Sequence, residues 1–262
     1  AHHPDHVLGY NARSTVALLL QDWGRRMALR NISAVAGVLF VLTCCADDGR
    51  PTATPTESDL AKITNDKVSF IDRALTVIED EIVPLTQQGV RRGNKLFGGA
   101  VLRKSDLSTV VAVTNSETGN PLLHGEITAI QEFYMLPRDQ RPPAQECIFL
   151  CTHEPCPLCL SGITWAGFDN FFYLFSYEDT KDAFKIPHDL KILEEVFRCP
   201  DGTYAQKNYY WSSWGLKDLI ASCDEATRNR FVKRTQSLQT VYGEMSKTYQ
   251  KSKDTGADIP LK

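Results

Sequence analysis

At 262 residues, with 42% hydrophobic and 23% charged side chains, the chain can bury one substantial core and some appendages. Its formal net charge is −3, and residues 57–262 carry 24 basic against 28 acidic side chains, which argues against a dedicated nucleic-acid binder with its basic surface. Eight cysteines in a chain this long do not make a disulfide scaffold.

Residues 1–56 read as a segment attached to the domain. Met27-Ala28-Leu29-Arg30 leads into an apolar run at 32–42, then Cys44, Cys45 and a Pro/Thr-rich linker ending at Thr56. The run is too short for a conventional membrane span and suits the hydrophobic region of a signal peptide. Leu42-Thr43-Cys44-Cys45 looks like a lipoprotein processing site with Cys45 as the modified residue, so residues 27–45 would export or lipid-anchor the protein. The competing reading makes 1–26 an upstream extension and the run a disordered or transit-type segment.

Downstream, Ile71, Leu75, Ile78 and Ile82 recur at helical spacing. Pro84 is expected to end that helix, because proline disfavours the helical conformation at Val83. Apolar runs at 96–102 and 109–113 read as an antiparallel hairpin. Residues 124–134 read as a helix, 147–151 as a strand, 156–166 as a helix and 171–175 as a last strand. This alternation predicts an α/β fold over 57–198, a three-layer α/β/α domain with a mixed sheet. Ligands in such sheets gather beyond the strand ends, so the site belongs at one edge.

Residues 199–262 form an extension. It opens on an aromatic loop with Tyr204, Tyr209, Tyr210, Trp211 and Trp214, expected to pack on its own domain or a second subunit, with a lid as the alternative. Ser222 and Glu225 then resemble a capping box, followed by Phe231, Leu238, Val241, Tyr242, Met245 and Tyr249 on one helical face. The other side, with Arg228, Arg230, Lys233, Arg234, Lys247 and Lys251, reads as solvated, and it is also the best place for RNA contact if there is any.

Two short segments carry the chemistry: His124-Gly125-Glu126 and Pro155-Cys156-Pro157-Leu158-Cys159. Zinc takes imidazole and thiolate ligands, and a catalytic site takes three from protein so that water fills the fourth position. His124, Cys156 and Cys159 make three. Cys-x-x-Cys puts both sulfurs on one side of a helical turn, and a helix starting at Pro155 or Cys156 would favour thiolates through its dipole. Bound zinc brings the pKa of its water to about 7. Glu126, two residues past His124, is placed to carry protons without ligating. A lone Cys-x-x-Cys is shared by redox pairs and zinc ribbons, but no second one completes a four-sulfur site here. Cys147 and Cys151 lie in an apolar run and read as buried thiols.

His-x-Glu followed by Pro-Cys-x-x-Cys is the signature of zinc nucleobase deaminases. Around it, roughly from Val68 to Ala183, the sequence resembles the cytidine deaminase superfamily, in particular the branch of guanine, fungal-type cytosine and tRNA adenosine deaminases. Residues 95–101 look like that family's first strand and 120–126 like its zinc helix. Residues 154–166, with Glu-Pro-Cys-Pro-x-Cys-Leu and Trp-Ala, are most similar to guanine deaminases, whereas His-Gly-Glu is the form of fungal-type cytosine deaminases.

The resemblance implies a Zn2+-dependent hydrolase acting on a small-molecule base or nucleoside, guanine-like slightly ahead of cytosine, in a cytoplasmic homodimer. It also implies substrate contacts at Asn115 and Trp165 and a proton-moving acid at Asp179 or Glu178, while His153, just before Glu154, is a candidate pocket residue by its position. Asn115 as a turn former, Trp165 as a core residue and His153 as a surface residue are the bland alternatives. A tRNA adenosine deaminase and an inactive zinc-stabilised binding module are the competing functions. The retained Glu126 argues against the module.

Overall fold

The computed structural model describes residues 54–253 and 259–261. The expected signal or lipoprotein segment, 27–45, lies outside them. Among the described residues no helix is long and apolar enough to cross a membrane.

The chain enters through a single turn, α1 (Glu57–Leu60), and continues into α2 (Lys67–Thr76), whose first N–H groups are capped by Asp66. Pro84 does not stop this helix as expected. A π-helical stretch, Val77–Ile82, carries it straight into α3 (Val83–Arg91), with Pro84 in its first turn. Proline lacks an N–H and its ring crowds the carbonyl one turn back. The wider ladder of a π-turn accommodates both defects, and the helix goes on.

Next come the hairpin β1 (Gly98–Arg103) and β2 (Thr109–Thr114), then α4 (Gly125–Met135), β3 (Cys147–His153), α5 (Pro157–Trp165) and β4 (Asn170–Phe175). Three elements complete the alternation beyond a second π-turn: α6 (His188–Phe197), β5 (Ser212–Gly215) and α7 (Leu216–Ala221). The sheet order is β2-β1-β3-β4-β5. β1 is antiparallel to β2 and β3, whereas β3, β4 and β5 run parallel, so the sheet is mixed as expected.

Side chains alternate along each strand between two helical layers. Ile148 and Leu150 join one cluster with Phe70, Leu75, Leu216, Phe231 and Tyr242. Cys147, Phe149 and Cys151 face the other, with Ala129 and Phe133 of α4 and Ile163 of α5. Cys147 and Cys151 are thus buried free thiols, pushed up in pKa by burial.

The extension is built into this domain. β5 pairs with β4, a strand the sequence reading lacked, and Trp214 stacks on Phe172 at 4.9 Å. Trp211 donates from Nε1 to Thr164 Oγ1 at 2.9 Å, and Tyr204 is partly buried beside it. Tyr209 and Tyr210 remain exposed. α8 (Glu225–Ser252) buries Phe231, Leu238, Tyr242, Met245 and Tyr249, the expected stripe. Its cap differs from expectation: Asp224, not Ser222, accepts the Thr227 N–H, while the Ser222 hydroxyl donates to Leu219 O. Arg234 is likewise not on a purely solvated face, because its guanidinium bridges Glu79 at 2.6 Å and Asp72 at 2.9 Å, tying α8 to α2 and the π-helical stretch that follows it.

Candidate metal centre

His124 and Cys156 are the residues immediately before α4 and α5, each with extended backbone, so both ligands sit on helix N-caps. Cys159 follows one turn into α5. The positive ends of two helices therefore converge on the site and favour thiolate and carboxylate. α4 can start where it does because residue 125 is glycine. A Cβ there would lie 2.8 Å from Gly98 Cα and 2.9 Å from Phe97 C, inside the backbone leading into β1. The glycine of His-Gly-Glu thus lets the helix start press against the sheet.

The ligand atoms of His124, Cys156 and Cys159 all lie within 4.8 Å of one another. The two sulfurs are 3.6 Å apart, and His124 Nδ1 stands 3.4 Å from Cys156 Sγ and 3.7 Å from Cys159 Sγ. A tetrahedral centre with metal–sulfur bonds of about 2.3 Å and metal–nitrogen bonds of about 2.0–2.1 Å has edges of roughly 3.5–3.8 Å. The triangle fits Zn2+. Hydrogen bonding with Cys159 is the main influence holding the Cys156 thiol well below its ordinary pKa, with His124 adding to it. Burial disfavours a charged His124, but the hydrogen bond and charge of Cys156, with Glu117 and Glu126, outweigh it and raise the ring to about 9.

Glu126 is in the first turn of α4 and only 4% exposed. The Cys159 thiol donates to its Oε2 at 3.2 Å. Burial, then the nearby Cys156 charge, raises its carboxyl to about 7. A carboxyl with that pKa both takes up and gives back a proton near neutrality.

The other sequence candidates fall in different places. Asn115 is buried close by, its Oδ1 accepting from Glu117 N–H at 3.1 Å and its Nδ2 donating to Glu117 Oε2 at 2.8 Å, an Asx-type turn. Trp165 is 91% exposed at the end of α5, so it occupies neither the core nor a closed pocket. His153 is not on the surface; its ring is enclosed by Phe97, Phe175, Phe184 and Tyr242, and burial lowers its pKa to about 3. Asp179 accepts from Ser176 N–H and pairs with Lys217 at 2.8 Å. Neither His153 nor Asp179 is joined to the ligand set.

Three groups the sequence reading passed over do belong to the surroundings. Asp189, in the first turn of α6, is buried, and burial followed by the Cys156 charge pushes its carboxyl well above the usual range. His124, Glu126 and Lys95 also act on it electrostatically. Lys95 and Glu117 form a buried ion pair at 2.7 Å beside His124. No local motif flags any of them, since each acquires its setting only when remote segments meet.

A three-ligand His/Cys/Cys centre on a mixed sheet, with a buried carboxyl beside it, defines a zinc-dependent deaminase-type hydrolase. Residues 80–175 match the cytidine and deoxycytidylate deaminase zinc-binding region. The guanine deaminase of Bacillus subtilis (strain 168) is 31% identical over 116 residues, spanning 44% of this chain and 68% of that protein. The chain belongs to this family of zinc-dependent deaminases. The X-ray structure of the B. subtilis guanine deaminase is 28% identical over 44% of this chain and 68% of that chain, with a TM-score of 0.33. A structure from studies of A-to-I editing by tRNA:A34 deaminases is 17% identical over 60% of this chain and 99% of that chain, with a TM-score of 0.36.

Proposed function

We propose that the protein hydrolytically deaminates a free base or nucleoside, guanine-like ahead of cytosine, with residues 57–198 carrying the reaction. The observation that carries this reading is Glu126, buried against the ligand set and poised by burial to exchange a proton near pH 7. The preference for guanine rests on the 31% identity to the B. subtilis guanine deaminase. An acidic chain supports a small substrate over a polyanion.

When bound by His124, Cys156 and Cys159, zinc supplies an acidified water as nucleophile. Glu126 would take one proton from the attacking water and place it on a ring nitrogen, then take the remaining proton from the added hydroxyl and place it on the departing amine, so that water and an amino-bearing carbon become a carbonyl and ammonia. Asp189 is a second buried acid, acted on by the same charges. Asn115, fixed by Glu117, presents its remaining amide capacity toward the ring.

The test is ammonia release by the zinc-loaded chain from guanine, cytosine, adenine, their nucleosides and tRNA. Turnover of guanine or guanosine above the rest is expected. Turnover of tRNA alone would transfer the reading to an RNA deaminase, and silence across the panel with zinc bound would point to an inactive binding module.

A further inference from the structure

We infer that Glu117, held in place by Lys95 and Asn115, is a positioning residue for the zinc ligand His124. The inference rests on the zinc centre described above and not on the substrate proposed for it. His124 turns Nδ1 toward both sulfurs, so Nδ1 is the ligand atom and its lone pair must be free. The ring proton of a neutral histidine then resides on Nε2. Nε2 points at Glu117 Oε1, 3.5 Å away. At that distance the contact exceeds a good hydrogen bond. What the carboxylate provides is a fixed negative charge that favours the Nε2–H tautomer and aligns the ring.

Glu117 is itself immobilised at every polar atom that matters. Lys95 Nζ donates to Oε1 at 2.7 Å, Asn115 Nδ2 donates to Oε2 at 2.8 Å, and the Glu117 N–H is bound by Asn115 Oδ1. Asn94 Oδ1 accepts from the next N–H, that of Thr118, joining the loop before β1 to the loop after β2. Both members of the ion pair are buried, Glu117 to 2% exposure. A buried ion pair is a poor way to stabilise a fold, because desolvation offsets much of its attraction. A carboxylate oriented on the far nitrogen of a metal-binding histidine has a definite use, since such partners fix the ring and raise its basicity.

The test is zinc binding by the full chain, measured by chelator competition, with the absorption spectrum of the Co2+-substituted protein as a second readout. Glu117→Gln keeps the shape and removes the charge. It should weaken zinc binding by roughly 10-fold or more and speed zinc release, the usual effect of losing such a partner. The Co2+ ligand-field bands should shift while the thiolate charge-transfer bands persist. Lys95→Met, which leaves Glu117 held by Asn115 alone, should lower thermal stability and weaken zinc binding, though by less than Glu117→Gln does. Unchanged zinc affinity and an unchanged Co2+ spectrum in folded Glu117→Gln would overturn the inference and leave the pair as packing. If Glu117→Gln does not fold, Glu117→Asp decides: a shorter carboxylate that restores folding must still weaken zinc binding, and wild-type affinity there would count against the role. None of these readouts depends on which base is deaminated.

Discussion

The two layers flanking the sheet are built for different tasks. On one side α4 and α5 cover a small cluster that includes Phe133, Phe149 and Ile163 and carry the ligand set at their starts. On the other, α2, α3, α7 and α8 enclose a much larger cluster that includes Phe70, Phe172, Phe231 and Tyr242. Chemistry is thus supported by a thin layer whose charged groups sit at helix ends, while apolar burial on the opposite face supplies most of the stability. Buried acids with raised pKa values, such as Glu126 and Asp189, oppose folding locally and depend on that reserve.

Substitutions on the two layers should therefore separate turnover from stability. Glu126→Gln should reduce kcat by about 10²–10⁴-fold, the range for losing general acid–base assistance, with one zinc per chain retained by elemental analysis. Near-wild-type kcat in a folded, zinc-loaded variant would mean that another group moves the protons. Phe231→Ala, deep in the opposite cluster, should cost about 3–5 kcal/mol in urea denaturation and leave kcat per folded molecule unaltered. A large loss of kcat there would mean that the layers are coupled.

His153, on the strand between the layers, gives a pH handle. Its pKa falls from 6.5 to about 3 on folding, first through burial and then through the charge of Lys217. The unfolded chain therefore binds more protons below pH 6.5, so stability present above that pH is lost as pH falls toward 3. The loss at pH 4.5 should be roughly 2–3 kcal/mol. His153→Phe, placed among Phe97, Phe175, Phe184 and Tyr242, should remove this share of the acid sensitivity, and a denaturation midpoint that falls just as steeply between pH 6.5 and 4.5 would contradict it. The smallest effect is expected for Trp165→Ala. Its side chain lies in solvent, so stability should move by less than about 0.5 kcal/mol and KM should not change. A raised KM would show that this indole meets the substrate after all.

How much was legible followed the range of the interactions. The ligands and Glu126 are written locally, as His-x-Glu and Cys-x-x-Cys, and the helix starts that carry them follow from the flanking patterns. The buried stripe of α8 was equally plain, because its period runs over many turns. Ser212-Ser213-Trp214-Gly215 has little strand propensity, and it becomes β5 only because β4 offers an edge and Phe172 a ring for Trp214. Pro84 reads as a helix stop because a π-turn leaves no composition signal. Lys95 and Glu117 are 22 residues apart, and Asp189 comes from a helix that the pattern did not isolate. Charges that meet through tertiary structure have no spacing to read.

His124 and Cys156 are 32 positions apart and carry ligand atoms 3.4 Å from each other. A metal held by both closes a ring of chain containing all of α4 and β3. Like a covalent cross-link, that closure removes disorder from the unfolded ensemble, worth roughly 3–4 kcal/mol for a loop of this size in a chain-entropy treatment. The ion would then act on the unfolded chain as well as on the substrate, and stripping it would loosen the sheet's centre along with the reaction.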